Sequence, residues 1–256
     1  MNQSVDAEVL AGLDAERRAL GKPAAGGGVV RELSADGSEC RIVYAACTPD
    51  NVDELIRAEL AAATEAGYTL EWKLYGHDRP ADLAERLVAA GFEADDPEDV
   101  LVLPLDDASV AAFDVAGVHV RQVRDERELA GYAEISRETG RRNVDEERRQ
   151  LAAVLAETPH EMSIHIAYVG EEPASCGRVY FRSGGPYAEL AGGRTKPTHR
   201  RKGLFTALVG SRLREAQQRG RTHVFVDALP TSAPTLRKRG FRFVTKTQPF
   251  VFEPER

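Results

Sequence analysis

The apolar residues between Asp53 and Ala66 recur at helical spacing. Leu55, Ile56, Leu60 and Ala63 share one side, so the pattern predicts an amphipathic helix there. Residues 4–20, with Val9, Leu10, Leu13 and Leu20 as apolar positions, read as an earlier helix that Gly26-Gly27-Gly28 breaks. Strand signals fall at 29–33 and 41–46, around the Ala35-Asp36-Gly37 turn, and at 68–75 and 100–105. Between the last two lies a helix at 80–90, closed by Gly91-Phe92. After Asp106-Asp107-Ala108-Ser109 the pattern starts afresh. A strand at 118–123, helices at 126–138 and 145–156, and a hairpin of 162–169 and 175–181 are followed by strands at 187–195 and 222–229. An amphipathic helix after Gly203 separates those two strands, and a short helix from Thr231 ends at Gly240-Phe241 before a last strand. In that short helix Ser232 is placed to cap, Pro234 is tolerated in the first turn, and Gly240 suits a left-handed end.

Strand, helix ending in Gly-Phe, strand thus occurs twice, which is a candidate internal repeat; a chance match of a common β-α-β pattern is the other reading. We place a boundary near 106–117, giving domains 1–115 and 116–256. Residues 118–256 are expected to form a mixed, mainly antiparallel sheet with helices on both faces. The strands at 187–195 and 222–228 should run parallel and splay near Thr195, and residues 29–105 should form a smaller sheet of related topology.

At 256 residues and 42% hydrophobic the chain has room for two modest globular cores. No apolar run approaches the length of a membrane span, and the first residues lack an apolar signal core. Cys40, Cys47 and Cys176 form no C-x-x-C pair, so no zinc or redox motif is indicated and a cytoplasmic setting is the default. The net charge of -7 divides unevenly: 24 acidic against 9 basic residues over 1–115, and 17 against 25 over 116–256. The basic second half suits an anionic ligand, or the opposite charges serve to dock the halves. No motif or aromatic-rich basic patch supports nucleic-acid binding.

The most specific signal is Arg194-Thr195-Lys196-Pro197-Thr198-His199-Arg200-Arg201-Lys202-Gly203-Leu204-Phe205-Thr206. It is a basic, glycine-containing turn between a strand and an amphipathic helix. Free N–H groups and the dipole at a helix start, with three formal cations, make a seat for phosphate. Neither a P-loop string nor G-x-G-x-x-G is present. The segment resembles the acetyl-coenzyme A signature of the GNAT superfamily of N-acetyltransferases, [RQ]-x-x-G-x-[GA]. Arg200 and Gly203 match, and Phe205 stands where a small residue is usual. Ala233 and Gly240-Phe241 fall where the family's closing motif has them. Leu236 occupies the position of a tyrosine that often protonates the departing thiolate.

The resemblance implies an α/β (α+β) fold, a GNAT-like mixed sheet flanked by helices, in two tandem halves. It covers the second half fully. The first half resembles a degenerate copy, with Thr48-Pro49-Asp50 in place of the basic turn. It further implies direct transfer of an acetyl group from acetyl-CoA, as co-substrate, to a primary amine. The backbone of Arg194 and Thr195 would bind the pantetheine arm. Arg200, Arg201, Lys202, Gly203, Leu204, Phe205 and Thr206 would bind the pyrophosphate, with Ser232 beside the coenzyme's arm. Amine attack needs a base. Glu189 is the first candidate and Asp227 the second, each also readable as a structural ion pair or hydrogen bond. Strand alternation places Glu189, Ala191, Gly193 and Thr195 on one face. Gly192-Gly193 marks either a bulge or a close ligand approach. His199 is expected to face phosphate or solvent. The acceptor is open: a small amine, an aminoacyl compound, or a peptide N-terminus or lysine. No metal, nucleic-acid or membrane partner is expected, and the chain is read as a monomer or homodimer. A protein that binds acyl-CoA or a partner without catalysis is the alternative.

Overall fold

The computed structural model describes residues 2–23, 28–34, 36–182 and 184–254. Gly26 and Gly27 of the expected helix break, and Ala35 of the first turn, lie outside the described residues. In chain order the elements are α1 (Asn2–Ala19), β1 (Lys22–Pro23), β2 (Val29–Leu33), β3 (Glu39–Ala45), α2 (Val52–Ala66), β4 (Thr69–Tyr75), α3 (Leu83–Ala89), β5 (Glu93–Ala94) and β6 (Glu98–Pro104). Then come α4 (Asp107–Ala111), β7 (His119–Gln122), α5 (Leu129–Glu138), α6 (Val144–Glu157), β8 (Met162–Val169), β9 (Glu172–Tyr180), β10 (Tyr187–Thr195), α7 (Leu204–Gln218), β11 (His223–Ala228), α8 (Ala233–Arg237) and β12 (Arg242–Phe252). The fold is mixed α/β, with mixed parallel and antiparallel strands flanked by helices. Helix α4 was not expected. A reciprocal capping box between Asp106 and Ser109 starts it, so the polar boundary is itself a helix start.

The chain packs into two compact units. One is Met1–Val100 with Ala228–Thr231 and Phe243–Arg256; the other is Leu101–Asp227 with Ser232–Arg242. In the first unit β2 and β3 are antiparallel, and β3 and β4 run parallel from Glu39↔Thr69 to Ile42↔Trp72. The end of β12 pairs antiparallel with β4, from Thr247↔Tyr75 to Phe252↔Leu70. The last strand, expected in the sheet of 118–256, therefore completes the first unit's sheet. Its Phe250 is 2% exposed among Ile42, Ile56, Leu70, Trp72, Leu87 and Phe92. Burying a side chain of that size favours the arrangement by roughly 1.5–3 kcal/mol. Local pattern assigns the strand but not its partner.

Where β3 and β4 cease to pair, α1 fills the gap. Arg17 donates through Nε to the Val43 carbonyl at 2.9 Å and grips Asp78 with two bonds of 3.0 Å. It also bonds Asp14, and its guanidinium lies 3.8 Å from the Tyr75 ring centre.

In the second unit β7, β8, β9 and β10 form an antiparallel series, and β11 joins β10 in parallel. Helices cover both faces. Cys176 belongs to the cluster with Tyr132, Ile135 and Leu151 of α5 and α6. Its neighbour Gly177 points the other way, against Arg212 of α7.

Corresponding elements of the units share local geometry. Helices α2 and α7 each span 15 residues and are followed by Gly67 (φ 73°) and Gly220 (φ 74°). After each, an N–H bonds the carbonyl five residues back: Tyr68 to Ala63 and Arg221 to Ala216. Helices α3 and α8 are followed by Gly91 (φ 99°) and Gly240 (φ 102°), with Phe92 bonding Leu87 and Phe241 bonding Leu236 in the same way.

Candidate active site

Strand β10 carries the site. Its parallel pairing with β11 runs from Tyr187↔His223 to Leu190↔Val226. Separation thus begins after Leu190, earlier than the expected Thr195. Its pairing with β9 shifts register between Ala191 and Arg194, and Gly192 sits at φ 61°. Gly192-Gly193 is therefore a β-bulge. The extra residue reverses the alternation. Glu189, Ala191 and Arg194 stand opposite Tyr180, Arg178 and Cys176, alternate residues of one β9 face. Thr195 stands opposite Ser175 on the other face. The expectation that Glu189, Gly193 and Thr195 share a face is corrected by that inserted residue.

Arg212 holds the bulge from beneath. It is 2% exposed and donates to the carbonyls of Leu208 (3.2 Å), Arg178 (2.9 Å) and Ala191 (3.4 Å). Burial pulls its pKa down to about 10. A β-carbon on residue 177 would lie 2.7 Å from its Nη1, so only glycine leaves room. The signal in the sequence was an arginine within the apolar stripe of α7, which the helical pattern alone passed over.

The turn after β10 is anchored at Lys196, whose side chain is 1% exposed. Its ammonium bonds Glu134 (2.5 Å), Glu138 (2.9 Å) and Glu172 (3.1 Å). Burial pulls its pKa down, but these three carboxylates outweigh that and hold it above its ordinary value. His199 pairs with Glu172 at 3.1 Å and is 11% exposed, so it serves the same anchor and does not face solvent as expected.

Beyond the single 3₁₀ turn Pro197–His199, Arg201 takes φ 60° and Gly203 φ 82°. The first costs a non-glycine residue about 1–2 kcal/mol, a type of strain that gathers at functional sites. Arg200, Arg201 and Lys202 are exposed, and none makes an ion pair among the described residues. No side chain caps the start of α7. Its first amides and three cations are thus available to a pyrophosphate, and the site fits that group. Leu204 is buried against Ala167 and Ala174, and Thr206 is 6% exposed, so these two have only backbone to offer. Phe205 is half-buried beside the bulge.

The remaining candidates divide. The Arg194 side chain grips Glu147 through bonds of 3.0 and 2.9 Å, and Thr195 Oγ1 meets Ser175 Oγ at 2.8 Å. Glu189 is paired with Arg182 at 2.6 Å, both side chains 18% exposed. Asp227 lies on β11 and is half-buried. Ser232 stands at the N-cap of α8 but makes no side-chain cap bond, because its φ of -101° and ψ of -33° depart from the extended geometry a cap needs. Leu236 is 1% exposed in the core. Pattern reading also missed the group around Glu147, in which Tyr132, Ser136, Arg141, Arg178 and Arg194 converge from α5, the following loop, β9 and β10. Its members are spread from 132 to 194, so no local spacing reveals them.

Residues 131–241 match the acetyltransferase (GNAT) family. No curated protein matches the sequence. Among solved structures, a GCN5-related N-acetyltransferase from Kribbella flavida superposes with a TM-score of 0.66 at 16% identity, over 99% of this chain and 95% of that one. A tandem GNAT protein from the clavulanic acid biosynthesis pathway gives 0.61 at 17% identity, over 91% and 82%. A functionally unknown conserved protein from Staphylococcus epidermidis gives 0.64 at 12% identity, over 87% of each. These likenesses are of fold. Strand β10, its basic turn and α7 all lie inside the stretch, residues 131–241, that is similar to the acetyltransferase (GNAT) family.

Proposed function

We propose that this protein transfers the acetyl group of acetyl-CoA to a primary amine by direct attack within a ternary complex. One observation carries the reading: a bulged strand, parting from its parallel neighbour, leads into a cationic turn and an uncapped helix start. The pyrophosphate sits on Arg200, Arg201, Lys202 and the first amides of α7. The pantetheine arm follows the backbone of Arg194 and Thr195. The amine nitrogen attacks the thioester carbon, the C–S bond breaks, and the sulfur leaves as thiolate. Leu236 has no proton to give, so water protonates that thiolate. The amine proton passes to Glu189, or to Asp227, directly or through water. Holding both reactants together supplies much of the acceleration.

In this reading residues 116–256 bind acetyl-CoA and residues 1–115 are a degenerate GNAT-like half without a coenzyme. Shared helix lengths and glycine-terminated ends support that relationship. Asp53 and Glu54 in the first turn of α2 oppose phosphate, and Arg17 already holds the Val43 carbonyl. No helix among the described residues is long and apolar enough to cross a membrane, and no metal cluster is found among them. We assign the protein to the cytoplasm as a monomer or homodimer acting on a small-molecule or peptide amine.

Free-thiol release from acetyl-CoA against a panel of amines tests the reading. Binding of acetyl-CoA with no thiol release for any amine would favour a non-catalytic acyl-CoA-binding module, the reading to which Phe205 and Leu236 lend weight.

A further inference from the structure

We propose that the α5/α6-facing side of β9 and β10 receives a substrate carboxylate, with Arg178 and Arg141 as its ligands. The proposal rests on the acetyl-transfer reading for the direction from which substrate arrives. Three guanidiniums, those of Arg141, Arg178 and Arg194, surround the single carboxylate of Glu147. Arg194 takes both of its oxygens, and the Tyr132 hydroxyl bonds one as well. Arg178 and Arg141 are left at 3.5 and 3.8 Å, beyond ordinary hydrogen-bond reach. Arg178 Nε is buried and has no hydrogen-bond partner among the described residues. A buried guanidinium N–H without an acceptor is costly, and a cation without its own anion more so.

The position of that N–H is specific. Arg178 stands opposite Ala191, immediately before the bulge, and a β-carbon on Gly192 would lie 2.9 Å from its Nε. The missing side chain leaves the guanidinium against the bulge, on the strand whose backbone the pantetheine arm is proposed to follow. Arg141 is exposed and brings solvent to the same group. A planar carboxylate matches the paired N–H groups of arginine. It arrives by one of two routes, on the amine acceptor, as in a free amino acid, or on the acyl group, as in a dicarboxylic acyl-CoA.

The experiment uses the full chain. In one arm thiol release from acetyl-CoA is compared for a pool of free α-amino acids and a pool of the same compounds as carboxamides. In the other, succinyl-CoA and acetyl-CoA are compared by calorimetric titration. A preference of roughly tenfold to a hundredfold for the carboxylate form in one arm is expected, the range of a charged hydrogen-bonded pair. Arg178→Gln should abolish that preference, and Arg178→Lys should restore part of it. Arg141→Gln, at an exposed position, should weaken it with the fold intact. The affinity of Arg141→Gln for acetyl-CoA should stay within about twofold, since Arg141 is exposed and reaches Glu147 rather than the bulge or the basic turn. Equal use of charged and neutral forms in both arms, by a protein that binds acetyl-CoA, overturns the proposal and leaves acetyl transfer standing. A succinyl-CoA preference without thiol release to any amine overturns acetyl transfer and leaves the carboxylate site standing.

Discussion

The ring of Phe205 lies against Gly193, so that a β-carbon on residue 193 would come within 3.1 Å of Phe205 Cε2. A large residue on α7 and an absent side chain on the bulge are complementary. Gly193→Ala should therefore destabilise by about 1 kcal/mol, in the range of overpacking. Its cost should shrink in the Phe205→Ala background, with a coupling of about 0.5 kcal/mol or more. Denaturant titration of the four proteins measures it. Additive effects would show that the two residues do not meet in solution.

Gly203→Glu should abolish acetyl-CoA binding. Its φ of 82° suits glycine, and a β-carbon would meet Val115 Cγ1 at 2.9 Å. The added carboxylate also opposes phosphate. Arg201→Gly separates strain from charge. Releasing φ 60° should leave stability unchanged or higher by up to about 1 kcal/mol, while coenzyme affinity falls several-fold. Thermal unfolding and calorimetry read the two effects independently. An Arg201→Gly protein that binds acetyl-CoA as the parent does would remove Arg201 from the site.

Arg212→Met should destabilise by about 2–4 kcal/mol, because the carbonyls of Arg178 and Ala191 lose a buried donor. Relaxation of the bulge should also weaken acetyl-CoA binding. A stable variant with unchanged affinity would show that the bulge does not depend on this guanidinium.

Glu189→Gln should lower turnover by about 10²-fold or more if Glu189 takes the amine proton, with coenzyme affinity nearly unchanged. Full activity from pH 6 to 9 would pass the role to Asp227, for which Asp227→Asn is the matching test.

His165 makes stability depend on mild acid. Its imidazole is buried between Ser211 (2.9 Å) and Glu215 (2.7 Å). Burial lowers its pKa from the ordinary 6.5, against the opposing bond to Glu215. The unfolded chain therefore binds more protons in this window. Stability is fully present above about 6.5 and should be lost as pH falls through the lower folded value. The lowered carboxylates, Glu147 and Glu215, act below their ordinary 4.5, a separate range. Denaturation midpoints for wild type and His165→Gln between pH 7 and 5 should converge as pH falls. Parallel curves would remove His165 from this role.

The sequence by itself determined most of the elements, though not α4, and the basic turn after β10, because these signals are local. Helical and strand periods depend on neighbours a few residues apart, and Arg200 to Phe205 are contiguous. Tertiary structure alone decided where those elements went. The period-two pattern of β12 is the same whichever sheet receives it, and its pairing with β4 was chosen by burial of Phe250 among residues from 29 to 92. The face shared by Glu189 and Arg194 was invisible because one inserted bulge residue reverses alternation, and Gly192-Gly193 is equally compatible with none. Nothing local to Lys196, Arg178 or Arg212 says which groups surround them. They are interior groups because carboxylates and carbonyls far along the chain fold around them, and no spacing in sequence encodes that desolvation.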